Sequence, residues 1–166
     1  MTDYRQLAVA CHYGSVSKPD IDAFIQSIVD GEDEYDGRLF EAYTNDLSAA
    51  QKKIFEFIEI SHPGFQLKAD GFLRACRAEL RRQIALLLDG KITPVVFCRF
   101  FNSMEIDLIT DHSFSSDDLG FLGDLYNACD YCDDRWTLQN TPYLAEECTR
   151  VSDEIDKAEL ADKTTP

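Results

Sequence analysis

Basic side chains are scarce in this sequence. Sixteen lysines and arginines stand against thirty-one aspartates and glutamates, a formal charge of −15 over 166 residues. A field of that sign disfavours nucleic acid and anionic membrane surfaces and favours a basic partner. Long apolar runs are also missing. None approaches the length that spans a bilayer, and the amino-terminal residues show no basic stretch followed by an apolar core. The expectation is a cytoplasmic protein, in which the six cysteines stay reduced and unpaired. There is no phosphate-cradling glycine loop and no second cysteine pair to complete a zinc box, so no cofactor and no metal are expected. What the sequence does have is apolar mass. At 45% hydrophobic and 11% aromatic residues it can fill a packed interior, either as one domain or as two small ones sharing a core.

The apolar spacing is helical nearly throughout, and no stretch alternates with a period of two between turn signals. Residues 3–12 predict a short helix. Ser17-Lys18-Pro19-Asp20 opens a second with a serine cap, an early proline and an acid at the third position. Gly31 to Gly37, around Glu32-Asp33-Glu34, reads as a solvated loop. Leu39, Phe40 and Tyr43 suggest a short helix, and Asn45-Asp46 caps a longer one that stops at His62-Pro63-Gly64. Residues 67–89 predict the longest helix, ended by Gly90. Its Arg74, Arg77, Arg81 and Arg82 are expected to neutralise neighbouring carboxylates rather than to bind RNA. Thr93-Pro94 opens an aromatic helix over 94–108, Ser115-Ser116-Asp117-Asp118 opens one over 116–133, and Thr141-Pro142 opens the last over 142–157. Phe97, Phe100, Leu122, Leu125 and Leu144 are expected in the core. The fold class is therefore all-α, a compact helical bundle of about eight helices.

An internal repeat also shows. Writing Gly14 over Gly90 aligns Val16 with Ile92, Ser17 with Thr93, Ile21 with Phe97, Phe24 with Phe100 and Ile25 with Phe101 without a gap. Amphipathic helices preceded by a glycine resemble one another, which is one reading. The other is two related four-helix units with one core, an amino-terminal half over 1–79 and a second over 80–158, followed by a frayed tail at 159–166.

Chemistry-bearing residues are few. Cys129-Asp130-Tyr131-Cys132 is a CxxC, but Cys98, Cys148, His12, His62 and His112 are single and scattered in sequence, so the cysteines read as core filler and catalysis is not expected. Acid is the distinctive feature. Residues 1–89 carry a net −5 and residues 90–166 a net −10. On a continuous helix over 116–133, Asp117, Asp124, Asn127, Tyr131 and Asp134 fall opposite Leu119, Leu122, Leu125 and Cys129, with Asp130 flanking and Asp133 at the end. Glu146, Glu147, Asp153 and Glu154 add charge on the last helix. Between Glu105 and Asp162 the bases are Arg135, Arg150 and Lys157 alone. Such a face repels itself, and a cationic partner would compensate.

Three stretches taken together carry a resemblance. Gly90-Lys91-Ile92-Thr93 followed by Phe97, then Leu125-Tyr126 with Cys129-Asp130-Tyr131, then Leu144 with Glu146-Glu147, resemble the colicin D-like immunity proteins over roughly residues 80–156. The resemblance implies a helical antitoxin. It would bind a basic nuclease domain of a bacteriocin or contact-delivered toxin, with an acidic face standing in for the phosphates of the tRNA substrate. The partner-binding residues expected from helix geometry are Asp117, Asp124, Asn127, Asp130, Tyr131, Asp133, Asp134, Glu146 and Glu147. An acidic helical adaptor without a toxin is the other class of function that this composition fits.

Overall fold

The structure is a computed structural model. It describes residues 3–30, 36–69 and 71–164, with the side chains of 161–164 left aside. Among these residues it is all-α: nine α-helices, one short 3-10 turn and no strand. The chain divides into two compact units, Met1–Cys76 and Arg77–Pro166. The predicted loop around Glu32-Asp33-Glu34 lies outside the described residues.

In the first unit α1 (Tyr4–His12), α2 (Lys18–Val29), α3 (Gly37–Thr44) and α4 (Leu47–Ser61) pack around Leu7, Ile21, Leu39, Ile54 and Ile58, none of which is accessible to solvent. The local chemistry is as the residues dictate. Ser17 and Asp20 form a reciprocal capping box, and the Asp46 carboxylate accepts from the Ala49 N–H at 2.9 Å. α5 (Phe72–Leu88) begins five residues later than the spacing suggests. Residues 62–69 instead include successive tight turns, with Phe65 N–H on His62 O and Ala69 N–H on Gln66 O.

The second unit holds the rest of α5 together with α6 (Pro94–Thr110), α7 (Ser116–Leu119), α8 (Leu125–Cys129) and α9 (Pro142–Thr164). Gly90, at φ +70, closes α5: the Lys91 N–H reaches back to Leu86 O at 2.8 Å, and Thr93 with Pro94 starts α6. The same bonds recur at the junction of α1 and α2. There Gly14 has φ +67 and the Ser15 N–H reaches Ala10 O at 2.9 Å, so the positions aligned in sequence share a hydrogen-bond pattern. Phe97 and Phe101 stack with ring centroids 6.3 Å apart, and Phe100, Leu122, Leu125 and Leu144 are buried beside them in the sequence-predicted core. α9 runs through Thr164, beyond both the predicted helix end at 157 and the start of the predicted frayed tail.

The continuous helix expected over 116–133 does not form. α7 is one turn, capped by a Ser115–Asp118 box; a 3-10 turn follows at Gly120–Leu122, and α8 begins only at Leu125. The break is at Gly123, whose φ of 50° and ψ of −132° no L side chain adopts without strain. A Cβ there would also overlap the Arg150 guanidinium, which crosses Gly123 to donate to Leu122 O at 3.3 Å while pairing with Glu147 at 2.9 Å. Periodicity could not reveal this, because Leu119, Leu122 and Leu125 are apolar on either side of the break.

Two substitutions test this packing. Gly123→Ala should cost about 1–3 kcal/mol through backbone strain and the displaced guanidinium. Phe100→Ala should cost roughly 3–5 kcal/mol through the cavity it leaves. Urea unfolding of both variants measures this, and an unchanged midpoint for either would show that the residue is misplaced.

Candidate functional site

Because the helix is broken, the predicted acids do not lie on one helical face. They fall into two groups and an outlier, all in the second unit. The first group surrounds Tyr126 and Tyr131, on α8 and just after it. The Asp130 charge, burial and a hydrogen bond to Asp130 together push the Tyr126 phenol above its ordinary value, with Glu105 and Tyr131 contributing. Tyr131 is 81% exposed. Asp130, Asp133 and Asp134 line the mouth of a cavity of about 260 Å³ whose wall includes Cys98, Asn102, Cys129 and Cys132. The second group surrounds Tyr143 at the start of α9. Its phenol is raised by burial and then by the charges of Asp124, Glu147 and Glu146. Asn127 leans on Asp124 at 3.4 Å. Asp117, in the first turn of α7, is exposed and belongs to neither group.

Not every predicted acid is available to a partner. Asp133 accepts from the Arg135 guanidinium at 2.7 Å and from the Arg135 N–H at 2.8 Å, which holds its carboxyl below the usual range. Glu147 is tied to Arg150. Asp117, Asp124, Asp130, Asp134 and Glu146 are exposed and make no ion pair among the described residues. Several cations are committed elsewhere in the unit. Arg81 bridges Asp156 at 2.7 Å and Glu159 at 3.0 Å, while Arg82 grips the fully buried Glu79 with two nitrogens and Gln83 bonds the same carboxylate. Arg77 lies over the Phe121 ring and donates to Asp118 O. Arg81 and Arg82 neutralise carboxylates as the sequence suggested, whereas Arg77 is held by a backbone oxygen and an aromatic ring instead.

Sequence reasoning missed Glu105. It sits on α6 among Phe101, Met104 and Leu108, is only 8% exposed, and its Oε2 has no hydrogen-bond partner. Burial raises its carboxyl above the ordinary value of 4.5. One turn away, Asn102 Oδ1 is likewise buried and unpartnered. An acid directly after Met104 in an aromatic helix was the available signal. It would ordinarily be assigned to a solvated edge, and only the packing of α6 on α8 shows otherwise.

The scattered cysteines are corrected too. Cys98 on α6, Cys129 and Cys132 around the end of α8, and Cys148 on α9 come within interaction range of one another, although all six cysteines of the chain are unpaired thiols. Among the described residues no group of three or more His, Cys, Asp or Glu is arranged to hold a metal ion. In the first unit a cavity of about 490 Å³ is lined by Tyr4, Phe57 and His62, but His62 stacks on Tyr4 at 3.7 Å and Asp36 is paired with Arg38. No set of reactive groups converges there. Among the described residues no helix is long and apolar enough to cross a membrane.

Glu105 gives a pH test. Its raised folded value means that the native state binds this proton more tightly than the unfolded chain. Stability is therefore lost as pH rises from near 4.5 through the folded value, and no cost remains below that window. Glu105→Gln should raise the thermal midpoint at about pH 7 and leave it nearly unchanged at about pH 4. Parallel melts at the two pH values measure the difference, and an equal shift at both would remove the carboxylate as its cause. Compared with protein-family models, with curated proteins and with solved structures, the chain matches none.

Proposed function

We propose that this chain is a non-catalytic immunity protein of the colicin D-like kind. It binds a basic nuclease domain of a toxin and occludes the cleft in which that domain would hold RNA. The observation that carries the reading is the site around Tyr126 and Tyr131. There the exposed Asp130 and Asp134 lack cationic partners, an aromatic ring stands 81% exposed, and a buried Glu105 has an unused oxygen beside them. Carboxylates without cations are suited to lysines and arginines that otherwise hold phosphates. Exposed tyrosines flanking them supply the rigid anchors on which interface energy concentrates. The likeness of residues 80–156 to that family's pattern supports the same reading.

The acidic face steers a basic partner, so association is fast and weakens with salt. Tyr131 and Asp130 are the centre of the contact. Asp124 with Tyr143 and Glu146 forms a second contact, and Asp117 lies at the rim.

The experiment uses the basic carboxy-terminal domain of the large toxin gene that, on this reading, lies immediately upstream. Co-expression should rescue cells from that domain. Asp130→Lys should weaken binding by about 2 kcal/mol or more, whereas Asp117→Lys should change chiefly the association rate and its salt dependence. Calorimetry at two salt concentrations, beside thermal melts, separates affinity from folding. Full affinity for Asp130→Lys combined with Asp124→Lys would reduce the acids to a solvated face and remove the proposal.

A further inference from the structure

Four cysteines meet in the second unit, and three of them line one cavity. Cys98 comes from the second turn of α6, Cys129 is the last residue of α8, and Cys132 comes from the turn after it, where the Cys132 N–H donates to Cys129 O at 3.2 Å. That turn sets the CxxC and Cys98 on the wall of one cavity, with the Cys129 and Cys132 sulfurs within interaction range of Cys98. The cavity holds about 260 Å³, room for a small oxidant where one water takes roughly 30 Å³. Asp130, Asp134 and Arg99 at its mouth are exposed.

The three sulfurs are not equivalent. Two S–H donors lower the Cys98 thiol below its ordinary value in spite of burial. Burial and the bond to Cys98 push Cys132 up to about 12, and Cys129 is raised further by the same two causes. Of the three, Cys98 is the sulfur whose surroundings favour the thiolate, the nucleophilic form. Cys132 is the partly exposed member of the trio, while Cys98 and Cys129 are nearly inaccessible except through the cavity.

We propose that Cys98 and Cys132 form a peroxide-reactive dithiol that closes to a disulfide. The Cys98 thiolate attacks one oxygen of hydrogen peroxide or an organic hydroperoxide. The O–O bond breaks, Cys98 becomes a sulfenic acid, and the departing oxygen takes a proton and leaves as water or alcohol. The Cys132 sulfur then attacks the Cys98 sulfur, the S–O bond breaks, and the Cys132 proton leaves with the hydroxyl as a second water. Two thiols are oxidised by two electrons and one peroxide is reduced. Cys129 positions the Cys98 thiolate and remains a thiol. The inference is independent of the toxin-binding reading, because it rests on the sulfurs alone.

The test takes the full chain, purified under reductant and then freed of it, with hydrogen peroxide as the probe. Expected are the loss of two titratable thiols, an intact mass lower by two hydrogens, and a Cys98–Cys132 link. Digestion at Asp130, which separates Cys129 from Cys132, maps that link. Cys132→Ser should stop the reaction at a sulfenic acid on Cys98 that dimedone traps, and Cys98→Ser should leave Cys132 unoxidised at the same peroxide dose. The mapping on the unaltered chain decides even if a serine variant fails to fold. A link between Cys129 and Cys132, oxidation confined to other cysteines, or stoichiometric zinc in the purified protein would overturn the proposal.

Discussion

The structure is governed by a shortage of positive charge. Thirty-one acids share sixteen bases, so each lysine or arginine placed against one carboxylate is withheld from another. In the second unit these assignments are visible. Arg81 holds α5 to the end of α9, Arg82 serves a carboxylate with no solvent access, Arg150 spans Glu147 and the backbone at Leu122, and Lys157 takes Glu154. The exposed pairs contribute little individually. The Glu79–Arg82 pair differs, because its carboxylate is sealed in the interior and would be destabilising without the guanidinium and the Gln83 amide. Around α8 Asp133 is paired with Arg135, whereas the exposed Asp130 and Asp134 keep no ion pair among the described residues.

The same region shows how backbone geometry places chemistry. Gly123 interrupts what would have been a single long helix and lets Arg150 lie across the gap. α8 then begins afresh, with Leu125, Ala128 and Cys129 inward and Tyr126 and Asp130 outward beside Glu105. A carboxylate buried without a partner is a cost that a stable fold would shed unless the residue serves something else. Its position next to Tyr126 and Asp130 ties that cost to the face proposed for the partner.

Much of this was legible in the sequence, for identifiable reasons. Caps and stops are local chemistry, so Ser17, Asp46, Gly90, Thr93-Pro94 and Ser115 announce their roles without tertiary information. The inward faces of α6 and α9 follow from spacing alone. What could not be read depended on contacts distant in sequence. The break at Gly123 is enforced in part by a side chain from α9, and the burial of Glu105 is set by what packs against α6. The gathering of Cys98 and Cys148 around the CxxC requires three elements to be placed together. Treating 116–133 as a regular helix put Asp117 and Asp134 on one stripe, whereas the folded chain assigns them to different surroundings.

The segment between α6 and α9 is built from pieces no longer than five residues, joined by tight turns and reciprocal side-chain bonds such as Thr137 with Asn140. Its inward residues are few and apolar, and its outward residues carry nearly all the polar and aromatic character of the surface just described. In such a segment the recognition code and the packing code occupy different letters. Substitutions at Tyr126, Asp130, Tyr131 or Asp134 can change the charge and shape of the surface while the buried Phe121, Leu122, Leu125 and Cys129 keep the framework unchanged.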